Sequence, residues 1–174
     1  MTLKILTLCT GNAARSVMLG YMFTTLAEVN GADWSVRTAG THVAEGSAMS
    51  TRTRAALLRI PELAGHRYSA HRGHQLTSGD VDWADVIVAS EALQVSYVRL
   101  HHPGAVSKTV LFGQFLRDAP LDQTFVNQVS FVSSQIPEKS LDVDDPAGGD
   151  QLVYDQCASK LWDMAQVFAS LVAS

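Results

Sequence analysis

One local pattern limits the fold of this chain more than any other. An apolar, β-branched run at residues 3–8 predicts a buried strand, and helical periodicity at residues 16–29 predicts a helix. Between them lies one short loop with the sequence C-T-G-N-A-A-R-S, in which Arg15 follows six residues after Cys9. The chain is therefore expected to begin with a strand, a tight loop and a helix that starts directly after the loop.

This loop has the composition of an anion-binding site. Backbone N–H groups of a tight loop and of a first helical turn converge on an oxyanion, and the Arg15 guanidinium can bind two of its oxygens. We expect Gly11 to supply the positive φ that so tight a loop requires. The same field favours the thiolate of Cys9, which predicts a nucleophile for phosphoryl transfer. By itself, however, a cysteine at a strand end is also typical of a small core residue.

The rest of the chain alternates strands and helices. Further strands are predicted at residues 35–38, 85–89 and 108–112, and helices from Ser50 to Pro61 and at residues 91–102, 121–136 and 151–172. Such alternation indicates the α/β class, with a parallel sheet and helices on both faces. Ligands of such sheets bind beyond the carboxyl ends of the strands, and Cys9 lies there. Cys157 falls on the apolar stripe of the last helix, so we expect it in the core.

Composition restricts the class of partner. A chain of 174 residues, of which 47% are hydrophobic and 17% charged, is expected to form a single domain over residues 1–174. The net charge of −4, with basic residues that look scattered, argues against nucleic acid or an anionic membrane as partner. The sequence has two cysteines and no stretch typical of a signal peptide or a membrane span. We therefore expect a cytoplasmic protein with free thiols.

A second polar segment offers the acid that a phosphoryl transfer needs. A thiolate that attacks a phosphate ester requires a group that protonates the departing oxygen. The loop that contains Asp142, Asp144, Asp145 and Pro146 is polar, and its proline makes it rigid. Acidic residues before a helix are also common as solvated turns and N-caps, so only the combination with the cysteine loop favours a catalytic role.

With both segments in view, the chain resembles the low-molecular-weight protein tyrosine phosphatases and their relatives, the arsenate reductases. The resemblance covers nearly the whole chain. Four motifs carry it: C-T-G-N-A-A-R-S at residues 9–16, T-A-G-T at 38–41, A-H-R-G-H-Q-L-T at 70–77 and D-D-P-A-G-G at 144–149. It implies one domain with a four-stranded parallel sheet flanked by helices on both faces. It also implies a cysteinyl-phosphate intermediate and no metal or other cofactor.

The resemblance further implies a role for individual residues. Cys9 matches the nucleophile, Arg15 the arginine that binds the phosphate, and Asp145 the general acid that later acts as base. His71 matches a histidine that supports the loop asparagine. An alternative in which His71 and His74 bind a metal is disfavoured, because no further ligands accompany them. The residues expected to shape the phosphate loop and bind the phosphoryl group are Thr10, Gly11, Asn12, Ala13, Ala14 and Ser16.

Three departures from the family pattern concern what the site can do. Ala14 stands where the family usually has a second cysteine, so oxidised Cys9 has no adjacent resolving thiol. The segments that begin at His42 and Ala147 lack the aromatic walls that hold a phenyl ring in the family. Ser90 occupies a position where the family often has aspartate. The missing aromatic walls weaken the expected selectivity for phosphotyrosine, and together with Ser90 they leave a non-catalytic module open.

We expect hydrolysis of phosphate monoesters, with a phosphorylated protein or a small phosphate ester as partner. Three alternatives remain open. The phosphoarginine phosphatases of the family have threonine where this chain has Ala13, so that match is incomplete. An arsenate reductase would need an external small thiol, because Cys157 is a single residue that we expect to be buried, and no resolving pair accompanies it. A non-catalytic oxyanion-binding module would keep the scaffold without turnover.

Overall fold

The computed structural model describes residues 1–173, and its centre is a four-stranded parallel sheet. The strands are β1 (Leu3–Cys9), β2 (Trp34–Gly40), β3 (Val86–Ala89) and β4 (Thr109–Leu111), in the order β2-β1-β3-β4. From β1 the chain continues to β2 on one side of β1. It then crosses over to form β3 on the other side of β1. The strand order therefore reverses between β1 and β3, where ligands of such sheets bind. The predicted fold class is confirmed.

Seven α-helices accompany the sheet within the described residues. They are α1 (Arg15–Asn30), α2 (Thr51–Leu58), α3 (Ser78–Trp83), α4 (Ala92–His101), α5 (Phe112–Asp118), α6 (Phe125–Ser133) and α7 (Gln151–Val172). Short 3₁₀ segments occur at Pro61–Leu63, Tyr68–Ala70, Pro103–Lys108 and Lys139–Leu141. No helix in residues 1–173 is both long and apolar enough to cross a membrane.

Local capping explains most helix boundaries. The side chains of Ser50 and Asp150 accept hydrogen bonds from the first turns of α2 and α7, and Gly31 ends α1 in the left-handed conformation. The predicted helix at 121–136 is shorter, because Thr124 caps α6 and fixes its start. Two short helices, α3 and α5, were not predicted. The strand predicted to end at Phe112 instead turns into α5 at that residue.

Alternating residues of the strands divide the core between the two faces of the sheet. Ile5, Val86 and Val88 pack with α1, α5 and α7, in a cluster that includes several phenylalanine rings. Leu6 and Ile87 point to the other face and pack against α3 and α4. This alternation is the period of two expected of a strand. It fixes the register that brings the carboxyl ends of β1 and β3 together.

Candidate active site

The predicted anion-binding loop joins the end of β1 to the start of α1. Cys9 is the last residue of β1 and Arg15 the first of α1, while Ala14 makes no side-chain cap for the helix. The N–H groups of the first helical turn therefore remain directed at the loop, as in helix N-termini that bind anions. The prediction for Gly11 was wrong. The residue with positive φ is Asn12, at 49°, and Gly11 is exposed on the loop.

A short chain of hydrogen bonds ends at the Cys9 sulfur. Cys9 is 2% exposed, and its Sγ lies 2.9 Å from the Oγ of Ser16. The Ser16 hydroxyl accepts a hydrogen bond of 2.9 Å from Nδ2 of Asn12. Because that bond uses an oxygen lone pair of Ser16, the hydroxyl proton is free to point at the sulfur. A hydroxyl donor directed at Sγ can stabilise negative charge that develops on the sulfur during the reaction.

Asn12 is the residue that holds the loop in shape. It is fully buried, and asparagine tolerates the left-handed conformation better than most residues. Its Nδ2 also donates to Oγ1 of Thr38 at 3.0 Å, and its Oδ1 accepts from the backbone N–H of His74 at 3.0 Å. The T-A-G-T and A-H-R-G-H-Q-L-T segments thus both bind this one side chain.

His71 contacts the loop differently from the expectation. Its Nε2 lies 3.0 Å from the backbone carbonyl of Asn12 rather than from the side-chain amide. Burial lowers the pKa of His71 below its usual value, despite the opposing effect of that hydrogen bond. The ring is therefore held neutral with its proton on Nε2, since the carbonyl oxygen only accepts. His71 supports the asparagine through its backbone.

The other loop residues are held by groups that sequence reasoning did not find. Oγ1 of Thr53 donates to the carbonyl of Ala13 at 2.8 Å, and Nε2 of Gln94 donates to Oγ1 of Thr10 at 3.1 Å. The carbonyl of Ala14 begins the helical hydrogen bonding of α1. These contacts fix the loop before any ligand binds, as an anion site with preorganised donors requires.

Arg15 is held by carboxylates from two different segments. The side chain is 2% exposed, and Nη1 donates to the carbonyl of Val143 at 2.8 Å. Nη1 also lies 3.0 Å from Oε2 of Glu91, and Nη2 lies 3.0 Å from Oδ2 of Asp145. A buried guanidinium needs such partners, because an unpaired buried charge is costly. The guanidinium is thus fixed at the loop by contacts on two sides.

Glu91 is a site residue that the sequence reading missed. It directly follows Ser90, the position where the family resemblance led us to expect an aspartate. Ser90 instead donates its hydroxyl to the carbonyl of Leu8 at 3.1 Å. The carboxylate that reaches Arg15 therefore comes from the next residue along. One indication of this role was present in the sequence, because Glu91 is an acidic residue directly next to Ser90.

The three aspartates of the acidic loop have different positions. Oδ1 of Asp142 accepts a hydrogen bond from the N–H of Ala92 at 2.7 Å, at the start of α4. Asp144 is exposed, and Asp145 alone contacts Arg15. The Asp145 side chain is 45% exposed, and its Oδ1 accepts from the N–H of Ala147 at 3.1 Å. Asp145 is thus the carboxylate that stands at the mouth of the phosphate loop.

His42 lies in the first of the two segments that lack the aromatic walls of the family. The N–H of His42 donates to the carbonyl of Thr10 at 2.9 Å, which fixes the residue beside the phosphate loop. Its exposed imidazole packs edge-on against Tyr97, with ring centroids 5.6 Å apart. Ala147, on the opposite segment, offers no ring. Of these two segments, the first therefore carries a ring at His42 and the second carries none at Ala147.

The His74 backbone binds the phosphate loop at Asn12, whereas its side chain contacts Asp80 and Glu45. Burial opposes the charge of His74, but Asp80 at 2.8 Å and Glu45 at 3.2 Å outweigh it and raise its pKa. Cys157 is buried as predicted, and burial raises the pKa of its thiol to about 11. In residues 1–173, no three histidine, cysteine or acidic side chains are grouped so that they could hold a metal ion.

Several solved structures with the same fold are phosphatases. A low molecular weight protein tyrosine phosphatase from T. tengcongensis is 24% identical, with 97% of this chain and 98% of that chain covered and a TM-score of 0.79. The YwlE arginine phosphatase from Geobacillus stearothermophilus is 27% identical, with 97% and 91% covered and a TM-score of 0.73. A Bacillus subtilis low molecular weight protein tyrosine phosphatase is 20% identical, with 98% and 97% covered and a TM-score of 0.78. No curated protein sequence matches the chain.

The family itself is recognised in the sequence. The profile of the low molecular weight phosphotyrosine protein phosphatases matches residues 4–127. That range contains the phosphate loop with Cys9 and Arg15, the segment with His71 and also Glu91, and it ends before the acidic loop. The chain therefore belongs to the low molecular weight phosphotyrosine protein phosphatase family and is a cysteine-dependent phosphatase.

Proposed function

We propose that this phosphatase hydrolyses phosphotyrosine in proteins through a cysteinyl-phosphate intermediate. One observation carries the mechanism. The Cys9 sulfur, with Ser16 hydrogen-bonded to it, lies in the loop whose Arg15 contacts Asp145 at 3.0 Å. Nucleophile, phosphate-binding cation and carboxyl group thus meet at the switch point of the sheet.

In the first step, the thiolate of Cys9 attacks phosphorus. A bond forms between Sγ and phosphorus while the bond between phosphorus and the ester oxygen breaks. Asp145, entering this step protonated, donates its proton to the departing oxygen. Arg15 and the loop N–H groups stabilise the charge on the three equatorial oxygens.

In the second step, water attacks the phosphorus of the cysteinyl phosphate. The Asp145 carboxylate accepts a proton from that water, and the bond between phosphorus and Sγ breaks. Sulfur leaves as a thiolate, which the hydroxyl of Ser16 stabilises at 2.9 Å. Inorganic phosphate is released and the starting protonation states return. Side chains and water account for each bond and proton, so the mechanism calls for no metal or cofactor.

Two observations bear on the substrate. The family description names phosphotyrosine, and the His42 ring supported by Tyr97 offers one surface on which a phenyl ring can pack. Phosphoarginine is the second candidate, because a solved structure 27% identical to this chain is an arginine phosphatase. The phosphoarginine phosphatases of the family have threonine where this chain has Ala13, so that match is incomplete.

The substrate assignment is tested with two peptides of one sequence, one with phosphotyrosine and one with phosphoarginine. We expect a higher kcat/KM for the phosphotyrosine peptide and no turnover of either by Cys9→Ala. A higher kcat/KM for phosphoarginine would replace the proposed substrate by the second candidate. A third assay offers the enzyme arsenate together with a small thiol. Arsenate consumption without hydrolysis of 4-nitrophenyl phosphate would contradict the phosphatase proposal and favour an arsenate reductase.

The proposed chemistry also bears on where the protein works. Cys9 has no neighbouring thiol in the loop, because Ala14 precedes Arg15. The nucleophile therefore depends on a reducing environment to stay a thiolate. We accordingly propose a cytoplasmic enzyme that acts on phosphorylated proteins, with neither nucleic acid nor a membrane as partner.

A further inference from the structure

A groove with two arginines lies beside the phosphate loop. It has a volume of about 520 Å³, and one wall carries Met49, Thr51 and Arg54, at the start of α2. The other wall carries Ser69 and Arg72. We call this surface the arginine groove. The partly buried side chain of Met49 adds apolar surface to its lining.

Both walls of the arginine groove are tied directly to the phosphate loop. From the first wall, Oγ1 of Thr53 donates to the carbonyl of Ala13 at 2.8 Å. From the second wall, Nε2 of His71, the neighbour of Arg72, lies 3.0 Å from the carbonyl of Asn12. The groove therefore lies against the part of the phosphate loop that carries these two carbonyls.

The charge of this region differs from that of the whole molecule. Residues 51–72 hold five of the thirteen basic residues and one of the seventeen acidic ones, although the chain carries a net charge of −4. The sequence reading of scattered basic residues was therefore wrong: these side chains come from one helix and the turns that follow it. Positive charge is concentrated in this segment, two of whose arginines line the groove, while the rest of the chain is acidic.

The two groove arginines are available to a partner. Among residues 1–173, Arg54 and Arg72 form no ion pair, whereas Arg59 of the same segment pairs with Asp155. Both side chains are exposed. Nη1 of Arg72 donates to the carbonyls of Ser69 and His71 at 2.8 and 2.7 Å, which holds its guanidinium in place. A fixed guanidinium loses less conformational freedom when it binds a carboxylate.

We propose that the arginine groove binds an acidic segment of the protein substrate next to its phosphorylated residue. The inference rests on the proposed phosphatase function and specifies its substrate class as phosphoproteins with aspartate or glutamate near the phosphorylated site. Charge complementarity supports this occupant, and the hydrogen bonds from Thr53 and His71 to the phosphate loop support its position. The acidic remainder of the molecule would repel a long polyanion, so a short acidic peptide segment fits better than nucleic acid.

The test compares two phosphotyrosine peptides that differ only in their flanks, one acidic and one with the corresponding amides. For the wild type we expect a kcat/KM about 2- to 30-fold higher for the acidic peptide, as two exposed ion pairs would give. This preference should reside mainly in KM and shrink at high salt. In Arg54→Gln the ratio should fall towards one. Arg52→Gln is the matched control, because it removes the same charge from α2 at an exposed position outside the groove.

Two results would overturn the proposal. One is equal kcat/KM for both peptides in the wild type. The other is an equal loss of preference in Arg52→Gln and Arg54→Gln, which would indicate a general electrostatic field instead of a groove. Should the enzyme hydrolyse neither peptide nor 4-nitrophenyl phosphate, the proposed function fails by itself. The affinity of Cys9→Ala for the two fluorescently labelled peptides then tests the groove separately, with the same expected ratio and the same refuting results.

Discussion

The replacement Asp145→Asn distinguishes two roles of Asp145, proton donation to the leaving group and the ion pair with Arg15. Asparagine keeps an oxygen near Arg15 but cannot donate the proton that an alkoxide or phenolate needs on departure. Loss of a general acid costs about 10²- to 10⁴-fold, or about 3 to 5 kcal/mol of barrier, for a poor leaving group. Loss of the ion pair with Arg15 costs about 1 kcal/mol or less, because the Asp145 side chain is 45% exposed. That smaller cost applies equally to every ester.

The assay is kcat/KM for phenyl phosphate and for 4-nitrophenyl phosphate, since this parameter reports the step in which the ester bond breaks. We expect the large loss for phenyl phosphate and less than about tenfold for the nitrophenyl ester, whose leaving group needs little protonation. Asp144→Asn is the matched control, because Asp144 is exposed and adjacent but does not contact Arg15. Equal slowing of both esters by Asp145→Asn would refute the assignment of the acid.

Three further predictions concern the residues around the phosphate loop. A methyl group on Gly40 would lie 2.5 and 2.9 Å from backbone atoms of this loop, so Gly40→Ala should lower the unfolding free energy by about 1 to 3 kcal/mol in urea. Gly11→Ala, whose methyl group meets no atom within 4 Å, should leave it nearly unchanged; equal effects would contradict the geometry. Ser16→Ala removes the donor to the Cys9 thiolate, and a hydrogen bond to a charged group is worth about 1.5 to 3 kcal/mol. Breakdown of the phosphoenzyme should slow about 10- to 150-fold in pre-steady-state kinetics, and an unchanged rate would exclude this role. The raised pKa of His74 stabilises the fold fully below the unfolded value of about 6.5, and this contribution is lost as pH rises through the folded value. The difference in unfolding free energy between wild type and His74→Gln should therefore shrink with increasing pH, whereas a constant difference would contradict it.

The sheet and the long helices could be predicted because their signals are local. β3 is a short run of buried β-branched residues, and Gly31 marks the end of α1 in the sequence. Helix α5 could not be found in this way. Phe112 continues the apolar run of β4, and only the packing of its ring against α1 and α7 shows that the chain has already turned.

The catalytic site was predictable where it is contained in one segment. Cys9 and Arg15 lie in one loop, whereas the contacts of Arg15 with Glu91 and Asp145 join residues far apart in the chain. Spacing within a motif carries no information on such contacts. The backbone conformation was misassigned for a related reason. Glycine is the usual residue at positive φ, but the hydrogen bonds of the Asn12 side chain select Asn12 instead.

The central claim is that Cys9 carries the phosphoryl group during turnover. The most direct measurement is acid quenching of the enzyme within its first turnover of 4-nitrophenyl phosphate, followed by mass spectrometry of the peptide that contains Cys9. The variant Asp145→Asn should be included. Its first step needs little acid with this good leaving group, and its second step lacks the base, so the cysteinyl phosphate should accumulate. We predict one phosphoryl group on Cys9 in the wild type and none in Cys9→Ala. Turnover without a phosphorylated Cys9, or phosphate on another residue, would contradict the account.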